Sequence, residues 1–218
     1  MNIVFFVFDG MDALDVVGPY DVLVRMPGAV ATFVGRARGT VRTDNNVVGL
    51  SADAAIDEIA ACDLLIVPGG FGTRRLETNE RVLCWLRAVD STTRITASVC
   101  TGSLVLAAAG LLRGRRANTH WAFRERLLEY GALPVAERVV RDGKYASAAG
   151  VSAGIDLGLT LAAELAGRDV AEAIQLGLEY DPKPPLDAGD AARARPGLRD
   201  LVRARMHARD AEIAAERA

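Results

Sequence analysis

Hydrophobic residues in the first half of the chain are gathered in short, nearly continuous runs. These runs lie within residues 2–8, 30–34, 63–67 and 95–99, and polar or glycine-containing turns separate them. A short apolar run without alternation is typical of a strand that is buried on both faces of a parallel sheet. The pattern therefore predicts the strands of a mostly parallel sheet.

The segments between and after these runs have apolar residues at helical spacing or at hairpin spacing. Helices are predicted at residues 56–61, 80–89, 101–109, 154–166 and 170–178, and hairpins at residues 40–50 and 138–147. Strands that alternate with helices are typical of α/β proteins. We predict one α/β domain over residues 1–190, with helices on both faces of the sheet.

The last segment, residues 191–218, has apolar residues at near-helical intervals within an otherwise charged sequence. This spacing predicts an amphipathic helix with a narrow apolar stripe, which packs on its own domain or on a dimer partner. Fewer than about forty residues follow the prolines of residues 182–185, which is too few for a helix-turn-helix domain with its own core. We therefore expect no DNA-binding appendage.

One strand end has the features of a nucleophile elbow. The run 95–99 ends at Cys100, which is followed by small residues and then by a helical pattern. A cysteine on such a turn projects its sulfur over the sheet edge, and the N-terminus of the next helix favours the thiolate. Gly102 and Ser103 supply the small side chains that the turn needs. Cys100 is the candidate nucleophile, and a buried, unreactive cysteine is the alternative.

Carboxylates cluster where the first strand ends. Asp9, Asp12 and Asp15 lie in a predicted loop that ends where Pro19 begins a helix as its first residue. Ligands of open α/β sheets bind at the carboxyl ends of the strands, so we expect one of these acids at the site. The alternative is that all three only cap the turn and solvate the loop.

Two further strand ends offer groups that could act beside Cys100. The backbone N–H groups of Gly70 and Thr101 would together form an oxyanion hole, although Gly70 also fits a simple turn. His120 lies one helix and one strand beyond Cys100, so it can return to the same sheet edge. The sequence leaves His120 open between a proton shuttle and a packing residue.

Composition excludes several classes of protein. The chain has 218 residues, of which 50% are hydrophobic, and a net charge of −2 from 26 Lys and Arg against 28 Asp and Glu. Without a basic stripe, nucleic acid is not an expected partner. The first apolar run has no basic region before it, which argues against a signal peptide, and no run is long enough to span a membrane. We expect a cytoplasmic protein.

The cysteines and histidines argue against a structural metal site. Cys62, Cys84 and Cys100 are not in a CxxC motif, so neither a disulfide framework nor a zinc site is expected. Only two histidines are present, which leaves no histidine-rich metal site. Cys62 and Cys84 are predicted to be packing residues, because free cysteine usually behaves as a small buried hydrophobe.

Several motifs together resemble the ThiJ/PfpI superfamily. They are Pro68-Gly69-Gly70, Ala97-Ser98-Val99-Cys100-Thr101-Gly102 and Thr119-His120-Trp121. The resemblance runs over nearly the whole chain and implies a flavodoxin-like, doubly wound fold related to class I glutamine amidotransferases. Residues 14–19, 98–106, 117–121, 137–143 and 178–180 are more narrowly similar to the isocyanide hydratases of that superfamily.

Membership of that branch implies that Cys100 is the nucleophile, that Asp15 is its carboxylic partner, and that the protein is a homodimer with its site near the subunit interface. An isocyanide carbon accepts a thiolate only if it is also protonated, so nucleophile and proton donor must lie side by side. The expected enzyme is a hydro-lyase that forms an N-substituted formamide and needs no metal or organic cofactor. Asp15 should then have a raised pKa, because burial and a nearby thiolate disfavour its ionised form.

Two other functions stay open. A ThiJ/PfpI-type hydrolase or glyoxalase-like enzyme would act on reactive carbonyls with the same Cys100, but it would rely on a glutamate, and the aspartate at position 15 argues against it. A non-enzymatic ligand or redox sensor would use oxidation of Cys100. The expected lack of a DNA-binding domain counts against a transcriptional sensor.

Overall fold

The computed structural model describes residues 1–215, so the last three residues of the predicted segment 191–218 lie outside the described part. The strands are β1 Asn2–Phe6, β2 Val30–Gly35, β3 Gly39–Arg42, β4 Gly49–Ala52, β5 Ala54–Ala55, β6 Leu64–Val67, β7 Ile95–Ser98, β8 Arg116–Ala117, β9 Leu133–Pro134, β10 Val139–Asp142 and β11 Tyr145–Ala148. A seven-stranded sheet has the order β10-β11-β7-β6-β1-β2-β5. Its pairings are parallel except for that of β10 with β11. The predicted mostly parallel, flavodoxin-like architecture is confirmed.

Helices surround this sheet. They are α1 Ala13–Leu23, α2 Thr73–Leu76, α3 Glu80–Asp90, α4 Gly102–Ala108, α5 Ala153–Ala166, α6 Arg168–Gly177 and α7 Pro196–Ala215. The helix predicted at residues 56–61 is a 3₁₀ helix over Ile56–Glu58, and a second 3₁₀ helix spans Trp121–Tyr130. Both predicted hairpins are present, as the antiparallel pairs β3 with β4 and β10 with β11.

The core lies between the central strands and the helices. Every residue of β6 and of β7 is buried, as expected for strands with neighbours on both sides and cover on both faces. Phe6 on β1 packs against Trp85 of α3, with ring centroids 5.2 Å apart. This packing fixes the strand ends, from which the loops of the candidate site begin.

The predicted start of α1 is wrong. The helix begins at Ala13 and not at Pro19, because the Asp12 side chain caps it by accepting a 3.0 Å hydrogen bond from the Leu14 N–H. Pro19 therefore lies inside the helix. Asp15 accordingly belongs to the first turn of α1 rather than to a loop, and its side chain is buried.

Close packing of α1 on α5 explains how α1 tolerates an internal proline. A Cβ added to Gly154 would lie 3.1 Å from the Pro19 ring, and one added to Gly158 would lie 2.9 Å from the Val22 Cβ. Only glycines allow the two helices to approach this closely, and tertiary packing outweighs the low helix propensity of proline. The contact also brings together the loops that precede α1 and α5.

Prediction of a buried Cys84 is wrong, whereas Cys62 is buried as expected. The apolar stripe of α3 consists of Val82, Leu83, Trp85, Leu86 and Val89. Cys84 lies off this stripe, and its sulfur faces Arg87 Nη2 at 3.1 Å on the exposed surface. Helical spacing places a residue on a helix, but the direction of the stripe decides which positions are buried.

Candidate active site

Cys100 lies on the turn between β7 and α4, with a φ of 53°. A positive φ is strained for a residue with a side chain, and such a turn is typical of a nucleophile elbow. A Cβ on Gly102 would lie only 2.1 Å from the Val67 carbonyl oxygen, so the turn accepts no larger residue there. The predicted arrangement of strand, tight turn and helix around Cys100 is therefore present.

Hydrogen bonds from three directions hold the strained backbone. The Cys100 N–H donates to the Ala149 carbonyl at 2.9 Å, and the Cys100 carbonyl accepts from Thr119 Oγ1 at 2.8 Å. Ser103 Oγ contacts both the Cys100 carbonyl at 3.3 Å and the Asn118 carbonyl at 2.6 Å. The buried hydroxyls of Thr119 and Ser103 therefore tie the elbow to the segment that leads to His120.

Asp15 is fully buried beside the elbow. Its Oδ2 accepts a hydrogen bond from the Gly69 N–H at 2.8 Å. Within residues 1–215, Oδ1 is a buried oxygen without a hydrogen-bond partner. Burial raises the pKa of Asp15, and a hydrogen bond with the neighbouring Cys100 side chain opposes part of this rise. One carboxyl oxygen is thus fixed by backbone, and the other is left for a proton or a reactant.

Burial dominates the acid–base properties of this pair. Loss of water and repulsion from Asp12 raise the pKa of Asp15 well above 3.8, as predicted. Burial and repulsion from Asp15 likewise raise the pKa of Cys100, although the backbones of Val151 and Thr101 lower it. The backbone of Thr101 before α4 favours the thiolate, as expected, but burial outweighs it, so the net shift of the Cys100 pKa is upward. Because the second negative charge is disfavoured, the thiolate form requires a neutral Asp15.

Backbone groups at the sulfur differ from those predicted. The Gly70 N–H donates to Thr101 Oγ1 at 3.0 Å, and the Thr101 hydroxyl is also 3.2 Å from the Gly70 carbonyl oxygen. Gly70 is therefore engaged in a turn with the Thr101 side chain and is not a free oxyanion donor. The backbone groups that interact with the sulfur are those of Thr101 and Val151. Val151 has a positive φ of 24°.

Sequence reasoning missed Val151 and Gly69. Val151 follows Gly150 at the end of β11 and precedes α5, which is the same strand, small turn and helix arrangement as at Cys100. Gly69 is confined, because an added Cβ would lie 2.5 Å from the Thr101 nitrogen and 2.8 Å from Asp15 Oδ2. The two adjacent glycines after β6 were the available signal for Gly69.

His120 lines the same small cavity as Cys100. Its Nδ1 accepts a 3.3 Å hydrogen bond from the Ala122 N–H. Burial, with a smaller effect of the Arg124 charge, lowers the pKa of His120 to about 4. The imidazole is therefore neutral at neutral pH, and its position is close to the backbone of Gly150, where a Cβ would lie 2.7 Å from the His120 Cδ2.

The cavity over Cys100, named here the Cys100 cavity, has a volume of about 50 Å³. Carboxylates of Asp12 and Asp44 line it together with apolar side chains, and burial raises the pKa of Asp12, with repulsion from Asp44 adding to the effect. A larger cavity of about 250 Å³ lies next to it and shares Asp44 and Phe71. Cys100 does not line the larger cavity, so the smaller one is the candidate site for chemistry.

Two other properties concern metals and membranes. Across residues 1–215, no group of three or more His, Cys, Asp or Glu side chains is arranged to hold a metal ion. None of the helices in this part of the chain combines the length and apolar character needed to cross a bilayer.

Comparison with known proteins shows the family to which this chain is similar in sequence. The model of the DJ-1/PfpI family matches residues 1–164. Isonitrile hydratase of Pseudomonas putida is 42% identical over 205 residues, covering 94% of this chain and 90% of the relative. The transcriptional regulator CdhR of Pseudomonas aeruginosa is 39% identical over 132 residues, which are 58% of this chain and 38% of the regulator.

A solved structure shows the same architecture over almost the full length. The crystal structure of a ThiJ/PfpI family protein from Pseudomonas syringae superimposes with a TM-score of 0.93 at 34% identity, covering 98% of this chain and 89% of that chain. The family inferred from the sequence motifs is therefore confirmed. With its elbow cysteine, its parallel sheet and a family match over residues 1–164, the chain belongs to the DJ-1/PfpI family.

Proposed function

We propose that the protein hydrates isocyanides, R–N≡C, to N-substituted formamides. The observation that carries the proposal is the fully buried Asp15 carboxyl beside the elbow at Gly69 and Thr101, with an Oδ1 that has no hydrogen-bond partner within the described residues. Addition to an isocyanide carbon requires a nucleophile and a proton at the same atom. Similarity to the Pseudomonas putida isonitrile hydratase supports the same reaction.

In the first step the Cys100 thiolate attacks the terminal carbon of the isocyanide, and neutral Asp15 gives its proton to that carbon. The product is a thioimidate, R–N=CH–S–Cys100, and Asp15 is left as a carboxylate. Water then adds to the thioimidate carbon, with its proton accepted by Asp15. Asp15 passes this proton to the nitrogen, which gives R–NH–CH(OH)–S–Cys100. The carbon–sulfur bond then breaks while the hydroxyl proton goes to Asp15, so R–NH–CHO leaves and the Cys100 thiolate and the neutral Asp15 carboxyl are restored.

The raised pKa values of both side chains suit this sequence. Repulsion from Asp15 disfavours a second negative charge on the pair, so the reactive form combines a Cys100 thiolate with a protonated Asp15 carboxyl. Attack on an isocyanide places the new electron pair on carbon, where Asp15 acts, and not on oxygen. The engaged Gly70 N–H is therefore no obstacle to the first step. Addition to a carbonyl would place the charge on oxygen and would call for more free donors.

Several wider properties belong to the same proposal. The reaction uses two side chains and water, so it requires neither a metal nor an organic cofactor. We also propose a cytoplasmic homodimer, as the resemblance implied, with a small molecule as the substrate and no nucleic acid partner. Light scattering after size-exclusion chromatography tests the dimer, and a monomer at micromolar concentration would contradict it.

The proposal is tested by mixing purified protein with an alkyl isocyanide and following formamide by NMR. Wild type should form formamide, Cys100→Ala should lose turnover, and Asp15→Asn should lose about 10²–10⁴-fold. Matched controls are Cys84→Ala, on the exposed face of α3, and Asp21→Asn, exposed on α1. Absence of formamide from wild type would exclude the function, and full turnover by Cys100→Ala would exclude the mechanism.

The same preparation tests the two other functions. Methylglyoxal consumption that depends on Cys100 and exceeds isocyanide turnover would favour an enzyme of reactive carbonyls. Peptide mapping after mild peroxide would favour a redox sensor if oxygen were added selectively at Cys100. The raised pKa of the Cys100 thiol opposes that result, because oxidation begins from the thiolate.

A further inference from the structure

The C-terminal helix α7 reaches the Cys100 cavity although it lies beyond the family match, which ends at residue 164. Met206 and Asp210 of this helix line the cavity. Cys100, Thr101 and the other lining residues come from the part of the chain that the family model matches. The candidate nucleophile Cys100 thus lies within the residues that the family model matches, whereas one wall of its cavity comes from a helix beyond them.

Specific contacts fix α7 over the site. His207 Nε2 is 2.8 Å from the Ala122 carbonyl oxygen, and its ring stacks on Phe123 with centroids 5.3 Å apart. Asp210 Oδ2 is 3.0 Å from Arg74 Nε. Both contacts are made by residues that follow Met206 within four positions, so they hold this part of α7 at the cavity.

The cavity is lined by two chemically different kinds of side chain. Asp12, Asp44 and Asp210 contribute carboxylates, whereas apolar walls come from Phe71, Phe123, Val151 and Met206. An isocyanide is linear at its R–N≡C group, so a carbon held at Cys100 directs the substituent away from the sulfur and along these walls. A volume of about 50 Å³ accommodates only a small substituent. The walls therefore limit which substituents can enter.

We infer that Met206 is a specificity-determining residue, which sets the largest substituent that the site accepts. The inference rests on the proposed isocyanide hydration. Phe71, Phe123 and Val151 are carried by the family domain, next to residues that hold the elbow or its loops. Met206 is the apolar wall residue carried by α7, so its size can change without moving Cys100 or Asp15.

The first test compares kcat/KM for methyl isocyanide and cyclohexyl isocyanide. Met206→Ala should raise the ratio of cyclohexyl to methyl turnover by about tenfold or more, and Met206→Phe should lower it, as expected when a hydrophobic pocket changes size. Leu201→Ala is the matched control, since Leu201 is 47% exposed on the same helix. An unchanged ratio in both Met206 variants would overturn the inference.

A second test does not depend on hydratase activity. In a Cys84→Ser background, peptide mapping follows alkylation of Cys100 by iodoacetamide and by the bulkier N-cyclohexylmaleimide. Met206→Ala should increase the rate with the maleimide relative to iodoacetamide, and Met206→Phe should decrease it. If wild type makes no formamide but this selectivity changes as expected, the proposed function fails and the role of Met206 stands. If the relative rates do not change in either variant, Met206 does not control access.

Discussion

The Gly69 N–H donates a hydrogen bond of 2.8 Å to Asp15 Oδ2, so the backbone after β6 holds the carboxyl beside Cys100. A side chain at position 69 has no room, because its Cβ would lie 2.5 Å from the Thr101 nitrogen. Gly69 thus joins three segments, the first turn of α1, the loop after β6 and the elbow. The relative placement of nucleophile and proton donor depends on this one contact.

Replacing Gly69 with alanine should therefore damage catalysis more than stability. The added methyl group has to displace either the elbow or the Asp15 carboxyl, and a shift of about 1 Å in a reacting group can cost about 10²-fold in rate. We expect Gly69→Ala to lower formamide formation by about that factor. Gly177→Ala is the control, since a Cβ at Gly177 meets no atom within 4 Å. Equal rates in the two variants would contradict this role of Gly69.

Asp15 should make the protein less stable at neutral pH. Its folded-state pKa is raised above 3.8, so the folded protein binds more protons than the unfolded chain in the window above that value. Stability is therefore present at low pH and is lost as pH rises through the folded pKa. Asp15→Asn removes this titration and should stabilise the protein at pH 7 by about 0.5–2 kcal/mol, with loss of activity.

Thermal unfolding of wild type and Asp15→Asn across a pH series measures this effect. The difference in Tm should shrink as the pH falls towards 3.8, where the native carboxyl is also protonated. Asp21→Asn on the exposed side of the same helix should show no such gain. An Asp15→Asn variant that is less stable than wild type at pH 7 would contradict this prediction.

His120 should remain neutral over the working range of the protein. With a pKa of about 4, its imidazole has the neutral resonance pattern in NMR spectra from neutral pH down to about pH 5. The spectrum of His120→Gln identifies its signals, since His207 is then the remaining histidine. Titration of His120 near pH 6.5 would contradict this prediction and would restore it as a candidate proton shuttle.

The Thr101 hydroxyl should contribute to stability through Gly70. Thr101→Val leaves the Gly70 N–H without the 3.0 Å hydrogen bond to Oγ1, and an unpaired buried donor costs about 1–3 kcal/mol. Thr101→Ser keeps the hydroxyl and is the matched control. Urea unfolding should show the loss in Thr101→Val, and equal stability of the two variants would mean that water or another group replaces the contact.

Local sequence patterns predicted the fold and the position of the candidate nucleophile. They failed where tertiary packing decides where a helix begins and which of its faces is buried. The apolar runs located β1, β6 and β7, and the small residues after Cys100 located the elbow. The prediction that α1 starts at Pro19 was wrong, because packing against the glycines of α5 allows a proline inside the helix that helix propensity alone would exclude. Cys84 was misplaced because spacing indicates a helix without indicating how its apolar stripe is turned.

By itself, the sequence determined the α/β class, the family and the candidate pair Cys100 and Asp15, since these depend on short-range periodicity and on motifs that neighbouring residues form. Tertiary structure decided the electrostatics and the outer wall of the site. Burial raises both pKa values of the pair, with repulsion from Asp12 adding to the rise at Asp15 and repulsion from Asp15 adding to the rise at Cys100. Such effects depend on atoms distant in the chain. Likewise, only folding brings Val151 to the sulfur and Met206 to the cavity.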